Sequence, residues 1–337
     1  MFLSKCGEYY YIYFTNPSTG KRTKISTKTK SKTQAYNALM NFNPKSTLKN
    51  KIASLTDFKE EFLKYSFIHY SLSTHSLYER SVRQLLAVVG NIPIRMLNIL
   101  DIEGFKRKRI EAGASKTTVN MEFRTIRSML NFAIKWGLID SNPCNNVKQF
   151  KVFQKEILAF DDNQIKIILN NINSELLKNF VLFALLTGCR LNEITQLQWR
   201  DLNLSDLILT IRNKPNFKIK SGNIRELPIS SRLLLLISNM YEKKTTGLDD
   251  EYVFHNESGY PFVGNYLSGL FKSELRKLDF PERFHFHCLR HTFITQLVRK
   301  GVNIHVIKRL AGHSEIETTE LYMHSVTDDL RRAVELI

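Results

Sequence analysis

The stretch that most limits how this chain can fold is LAGHSEIETTELYMH, residues 310–324. Gly312 reads as the C′ glycine of a helix over 303–311, because a residue without a Cβ reverses the chain there without strain. Ser314 and Glu317 read as a capping box that opens the next helix. His313 is thereby held at a rigid corner, and Tyr322 falls about two turns along the second helix. Just upstream, HFHCLRHTFITQL (285–297) sets His287 and Arg290 three residues apart. That spacing puts them on one face at the start of a helix, where the dipole favours an anion. An imidazole, a guanidinium, a second imidazole and a phenol form a set suited to a phosphodiester, although none of the four is specific alone.

With 337 residues the chain is long enough for two or three domains. Its 43% hydrophobic and 24% charged content reads as a soluble globular protein. It has no apolar run of about 18 residues that could span a membrane. The first residues, MFLSKCGEYYYIYF, are interrupted by Lys5 and Glu8 and do not read as a signal peptide. Cys6, Cys144, Cys189 and Cys288 are far apart with no CxxC spacing, which fits a reducing cytoplasm. The net charge is +17 and unevenly spread: residues 1–50 carry 9 basic against 1 acidic, 51–150 carry 15 against 9, and the remainder 25 against 22. An excess concentrated in the first half favours a polyanion through counterion release, and nucleic acid before a merely solvated basic surface.

EYYYIYF (8–14) and RTKISTK (22–28) read as two strands around the turn cluster NPSTGK (16–21), followed by a short helix over 32–42 capped by Ser31. Such a small, basic module lacks the core of an enzyme and suits a DNA-gripping accessory. After a linker at 43–51 come four helices, at about 56–69, 74–89, 101–112 and from 116 to Gly137. Phe58, Phe62, Leu63 and Tyr65 give the first its helical periodicity, Gly90 and Gly113 end the second and third, and Ser115 caps the fourth. Arg80, Arg83, Lys106, Arg107, Lys108, Arg109, Lys116, Arg124 and Arg127 lie at helix starts and exposed faces, a group suited to duplex phosphates. DSNPCNN (140–146) marks a boundary. Beyond it, helices at about 161–171 and 174–187, strands LILTI (207–211) and IRELPI (224–229), and helices at 230–243 and 264–277 make a mixed domain.

Two further basic residues could serve a phosphate. Arg190 sits in a tight turn three residues before Glu193, so it can offer a guanidinium fork while a carboxylate holds it; alone, it reads as an ordinary ion pair at a helix start. Lys220, in IKSGNIRELP, precedes a Ser-Gly turn from which a lysine can enter a groove and deliver a proton. Alone it reads as an exposed strand lysine, and Lys218 competes for the part. His285, His287, Cys288 and His291 also allow a metal site, with His287 and His291 four apart on one helix face. Against that reading stand the missing HExxH and the lack of any carboxylate in the segment.

Taken along the chain, TGCRLNEI, IKSGNIRELP, HCLRHTF, LAGHS and ETTELY place Arg190, Lys220, His287, Arg290, His313 and Tyr322 in an order and spacing that resembles the tyrosine recombinase (phage integrase) family. The resemblance covers nearly the whole chain and implies a multidomain, mainly α protein with small β-sheets. Residues 1–47 would be an arm-type DNA-binding module, 52–145 a helical core-site-binding domain and 156–337 an α+β catalytic domain. The lead-in NKPNFKIK is longer and more irregular than the family pattern, which leaves the choice between Lys218 and Lys220 open.

The resemblance implies a site-specific recombinase that integrates or excises a mobile element or prophage. Tyr322 would attack a scissile phosphodiester, leaving a 3′-phosphotyrosyl link and a 5′-hydroxyl. Arg190 and Arg290 would clamp the non-bridging oxygens, His313 would add a hydrogen bond, and Lys220 would protonate the leaving oxygen. His287 would move or orient a proton near the nucleophile, and Glu193 would brace the turn. No cofactor, ATP or metal is required. The implied partners are double-stranded DNA, three further copies of the chain on paired sites, and DNA-bending or directionality proteins, in the cytoplasm at the nucleoid. HSVTDDLRRAVELI (324–337) reads as a short amphipathic helix that would dock on a neighbouring protomer. The rival readings are a metal-dependent nuclease built on the 285–291 histidines, a DNA-binding regulator that keeps the fold without activity, and a type IB topoisomerase, which the basic N-terminal module disfavours.

Overall fold

A computed structural model of the chain describes all residues except 16–21, 43–51, 53, 153–155, 216, 220, 221, 223, 243–249, 324–334, 336 and 337. The NPSTGK turn, the 43–51 linker, Lys220 and, apart from Glu335, the C-terminal helix expected over 324–337 therefore lie outside the described residues. The chain divides into two compact units, Met1–Gln154 and Lys155–Ile337. Residues 1–47 and 52–145 fall together in the first. Among the described residues, no helix is long and apolar enough to cross a membrane.

The first unit opens with an antiparallel sheet, β1 (Phe2–Cys6), β2 (Tyr9–Thr15) and β3 (Arg22–Ser26), in the order β1-β2-β3. The alternation of β2 sorts its side chains between two faces. Ile12 and Phe14 are buried on the face that meets α1 (Lys32–Met40), where Ala35 is fully enclosed. The opposite face carries Tyr11 and Tyr13 beside Lys24 and Phe2, with the Lys24 ammonium 5.1 Å from the Tyr11 ring centre. Strand β1 is absent from the sequence reading. Ser31 sits at the N-cap of α1 but makes no side-chain capping bond.

Four helices follow, α2 (Leu55–His69), α3 (Leu72–Val89), α4 (Ile99–Glu111) and α5 (Lys116–Lys135). Each starts where a polar side chain takes an orphan backbone N–H: Ser54 with Asp57, Ser71, Asn98 with Asp101, and Ser115. Gly90 ends α3. Phe58 and Phe62 are fully buried, and the Phe62 ring meets Tyr78, Phe132 and Trp136. Two of the basic residues expected on open faces are not there. Lys106 is buried, donating to the Lys148 carbonyl (2.6 Å) and to Glu103 (3.1 Å), with the Phe150 ring 4.7 Å away. Arg109 makes a bidentate pair with the buried Glu122, both bonds 2.8 Å. A cation taken out of water must be paired, and each of these is.

The second unit builds around α6 (Asp162–Asn171), α7 (Glu175–Thr187) and the short α8 (Leu191–Thr195). A three-stranded antiparallel sheet follows, with β4 (Leu202–Asn203), β5 (Ile208–Ile211) and β6 (Arg225–Pro228) in sequence order. Then come α9 (Ser231–Tyr241), α10 (Gly264–Lys277), α11 (His287–Arg299), α12 (Ile304–Ala311) and α13 (Glu317–Glu320). The core runs from Phe160 through Phe180, Phe183, Leu209 and Phe254 to Phe271 and Leu289. Helix α11 packs on α7, and α12 packs on α11 and β6, which gathers the chain's distant basic residues at one place. The expected Ser314–Glu317 capping box does not form. Ile316 occupies the N-cap of α13, and the corner is tied instead by His313, whose Nδ1 lies 2.9 Å from the Thr319 hydroxyl.

Candidate active site

Two glycine corners hold the site. Gly188 ends α7 at φ 62° and Gly312 ends α12 at φ 67°, both in the left-handed region that favours glycine. A Cβ on Gly188 would lie 2.3 Å from the Phe293 ring, and one on Gly312 would lie 2.8 Å from Arg225 Nη1. The corners also supply acceptors. Arg290 donates to the Gly188 carbonyl (2.7 Å) and the Ala311 carbonyl (2.6 Å), and Arg190 donates to the Gly312 carbonyl (2.8 Å). Each guanidinium is thus oriented by backbone that cannot swing away, with further N–H donors left in its fork.

Glu193 is the electrostatic keystone. Its carboxylate accepts from the Arg190 backbone N–H (2.7 Å), from Arg190 Nη1 (3.0 Å) and from both Nη atoms of Arg225 (3.0 and 2.7 Å). Burial opposes its charge, but the hydrogen bonds and charge of Arg225, and then those of Arg190, outweigh it and hold the carboxyl at about 2. Arg290 is only 3% exposed; burial first, then the nearby Arg190 charge, bring its guanidinium down to about 10, still cationic at neutral pH.

Arg190, Arg290, His287, His313 and Lys218 line one cavity of about 700 Å³, with Asn192, Asn265 and Thr318 on its wall. Lys218 stands exposed beside the buried Ile219. Tyr322 is not part of that lining. It is 3% exposed and belongs to a small cluster with Ile294, Val298, Ile307 and Ala311. Its ring centre lies 5.6 Å from that of His291 and 6.3 Å from that of His313, and its hydroxyl lies 2.6 Å from His291 Nδ1. Burial pushes the phenol up to about 12, against the opposing pull of Arg290 and Arg190.

The structure therefore brings Arg190, Glu193, Lys218, His287, Arg290 and His313 together and sets Tyr322 beside them. Sequence reasoning missed Arg225 and the role of His291. Arg225 lies in IRELP, where only its strand was read. His291 was weighed as a metal partner of His287; its Nδ1 is instead engaged with Tyr322, although the two histidine rings do touch edge-on at 4.7 Å. Among the described residues, no three His, Cys, Asp or Glu side chains cluster as a metal cage would require.

His291 and His313 are both lowered to about 4, by burial first and then by nearby positive charge, including Arg290 for each. His287 is lowered to about 3, by burial first and then by the neighbouring His291 and Arg290. Below the ordinary value of 6.5 the unfolded chain takes up protons that the folded one refuses until about pH 4. The stability tied to these neutral rings is complete above pH 6.5 and is lost as pH falls toward 4. Urea midpoints of the second unit should fall across that window, and fall less in His313→Asn; an equal fall in that variant would remove His313 from the account.

The phage integrase family signature matches residues 159–328, and the signature of the phage integrase N-terminal domain matches residues 54–151. A tyrosine recombinase XerC-like protein of Caldanaerobacter subterraneus subsp. tengcongensis is 27% identical over 280 residues, covering 72% of this chain and 71% of that protein. Tyrosine recombinase XerC of Bacillus pumilus is 26% identical over 300 residues, covering 80% of this chain and 92% of that one. In fold, the chain resembles the Tn1549 transposon integrase solved in complex with circular intermediate DNA, with a TM-score of 0.72 and 19% identity over 85% of this chain and all of that one. With both signatures falling in order along it, the chain belongs to the phage integrase family of tyrosine recombinases.

Proposed function

We propose that Tyr322 is the nucleophile with which this tyrosine recombinase cuts and rejoins DNA strands at specific sites. The observation that carries the reading is a phenol held beside a cavity walled by two oriented guanidiniums and two imidazoles. A phosphodiester in that cavity meets Arg190 and Arg290 as a clamp on its non-bridging oxygens, where charge builds as the phosphorus becomes five-coordinate. His313, fixed by Thr319, adds a donor, and Glu193 keeps Arg190 aimed. The two candidates for the acid that protonates the leaving 5′-oxygen are Lys220, supported by its place in the family motif, and Lys218, supported by its place on the cavity wall. His287, on the cavity wall at the start of α11, serves in proton transfer or orientation near the nucleophile. The phosphotyrosyl bond stores the energy of the one broken, so rejoining requires no ATP.

For the other parts, the family supports residues 1–47 as an arm-type DNA-binding module, 52–145 as the core-site grip and 156–337 as the catalytic domain. Four protomers on two DNA sites, working at the nucleoid in the cytoplasm on a mobile element or prophage, complete the reading. The basic excess of the first 150 residues supports duplex contact there.

The test is covalent capture. Wild-type protein is incubated, in EDTA, with nicked duplexes of randomised sequence, whose nick lets the cut 5′ fragment escape. Denaturant-stable adducts are recovered, the DNA is sequenced and the modified peptide is identified by mass spectrometry. Adducts on Tyr322 with a shared DNA sequence are expected. No adduct, an adduct on another residue, or cleavage that EDTA abolishes would overturn the reading.

A further inference from the structure

A buried phenol is a poor nucleophile, and its proton needs an acceptor at the phenol oxygen itself. Tyr322 stays protonated at neutral pH, so the proton must leave as the oxygen attacks. Lysine and arginine in the cavity are cationic and have no lone pair to receive it. His313 turns its Nδ1 to Thr319, and His287 stands on the cavity wall with the arginines. Among the described residues, His291 stands at the phenol oxygen, with Nδ1 2.6 Å away, inside the range for a direct proton transfer. We propose that His291 is a further catalytic residue of this site, the base that receives the Tyr322 proton during strand cleavage and returns it during rejoining.

The placement follows from the helix. His287 and His291 lie one turn apart on α11, so the first faces the phosphate cavity and the second reaches the nucleophile behind it. In the step, the Tyr322 oxygen forms a bond to phosphorus while its proton passes to His291 Nδ1. The bond from phosphorus to the 5′-oxygen breaks, and that oxygen takes a proton from the hairpin lysine. The products are a 3′-phosphotyrosyl ester, a 5′-hydroxyl, an imidazolium at His291 and a neutral lysine; the reverse step restores all four.

The groups facing His291 set its proton affinity. Arg290 and His287 flank it on α11, His285 lies just before that helix, and His313 and Tyr322 meet it from the segment after α12. Burial and the neighbouring positive charge keep it neutral, hence able to accept a proton. An incoming phosphodiester brings a negative charge that offsets Arg290 and raises the proton affinity of the ring. Proton removal from Tyr322 is thereby coupled to occupation of the cavity.

The inference rests on Tyr322 being the nucleophile, and the experiment separates the two. Captured duplexes are remade with sulfur in place of the bridging 5′-oxygen, a leaving group that departs without a proton. Single-turnover adduct formation is followed from pH 5 to 8. His291→Asn retains a hydrogen-bond acceptor near the Nδ1 position without its basicity; it should lose about 10²–10³-fold in rate on both the oxygen and the sulfur substrates. It should also lose the acid limb of the profile, with DNA binding and melting temperature unchanged. His287→Asn should keep that limb. Should His291→Asn fold poorly, the wild type still decides: an acid limb must persist on the sulfur substrate. A His291→Asn rate within threefold of wild type, rescue of that variant by sulfur, or no acid limb in wild type would overturn the proposal. Failure of wild type to form any Tyr322 adduct would instead overturn the functional reading.

Discussion

Tyr322→Phe binds captured duplexes as tightly as wild type and forms no covalent adduct with them. The expected loss in cleavage rate is on the order of 10⁶-fold, the scale on which removing a nucleophile acts. The fold is expected to survive, because the ring remains to pack on Ile294, Val298, Ile307 and Ala311 and only the hydroxyl is lost. Its bond to His291 is worth about 1 kcal/mol net, a small part of a domain's stability. The measurement is a denaturing gel of protein–DNA adduct, paired with a binding isotherm and a melting curve. Adduct retained by Tyr322→Phe would show that another side chain attacks. Loss of binding together with loss of adduct would show that the phenol supports the DNA surface instead.

The second large effect falls on stability. Glu193→Ala removes the carboxylate that accepts four hydrogen bonds and leaves Arg225, whose side chain is 8% exposed, as an uncompensated buried charge. Breaking a buried pair from one side costs about 3–5 kcal/mol, and that is the loss expected in the unfolding free energy of the second unit. Where the variant still folds, Arg190 keeps its bond to Gly312 but loses its brace, and a misplaced clamp should slow adduct formation roughly a hundredfold. Glu193→Gln should lie between, since it keeps acceptors without charge. A loss below about 1 kcal/mol for Glu193→Ala would mean that water reaches Arg225 and the network is not buried in solution.

Local chemistry made much of this legible from sequence. Gly90, Gly188 and Gly312 end helices where a left-handed or open backbone is needed, and Ser115 starts one where an orphan N–H needs an acceptor. Such signals act over three or four residues, and the sequence shows them directly. What failed needed distance. Lys106 and Arg109 read as surface cations because their partners, the Lys148 carbonyl and Glu122, lie 42 and 13 residues on. Arg225 read as a strand residue because Glu193 is 32 residues away. His291 was paired with His287, its neighbour at one helical turn, while its hydrogen-bonded partner Tyr322 is 31 residues further along. The Ser314–Glu317 box is the opposite case, a local pattern that does not form because α13 begins two residues late, with Ile316 at its N-cap. Strand β1 went unseen because FLSKC, with a lysine among five residues, carries no alternation strong enough to distinguish it from a loop.

The guanidinium clamps have a consequence for when this chemistry can exist. Arg190 is held by a carbonyl 122 residues downstream, and Arg290 by one 102 residues upstream. Neither end of the second unit can therefore arm itself alone. A polypeptide on which the last glycine corner has not yet been made, or one cut short before it, has the helices of the first unit but no oriented guanidinium pair and no Tyr322 phenol. On the roles proposed for these residues, cutting requires residues 188 to 322 to be folded together, so a chain truncated before Gly312 is expected not to cut DNA.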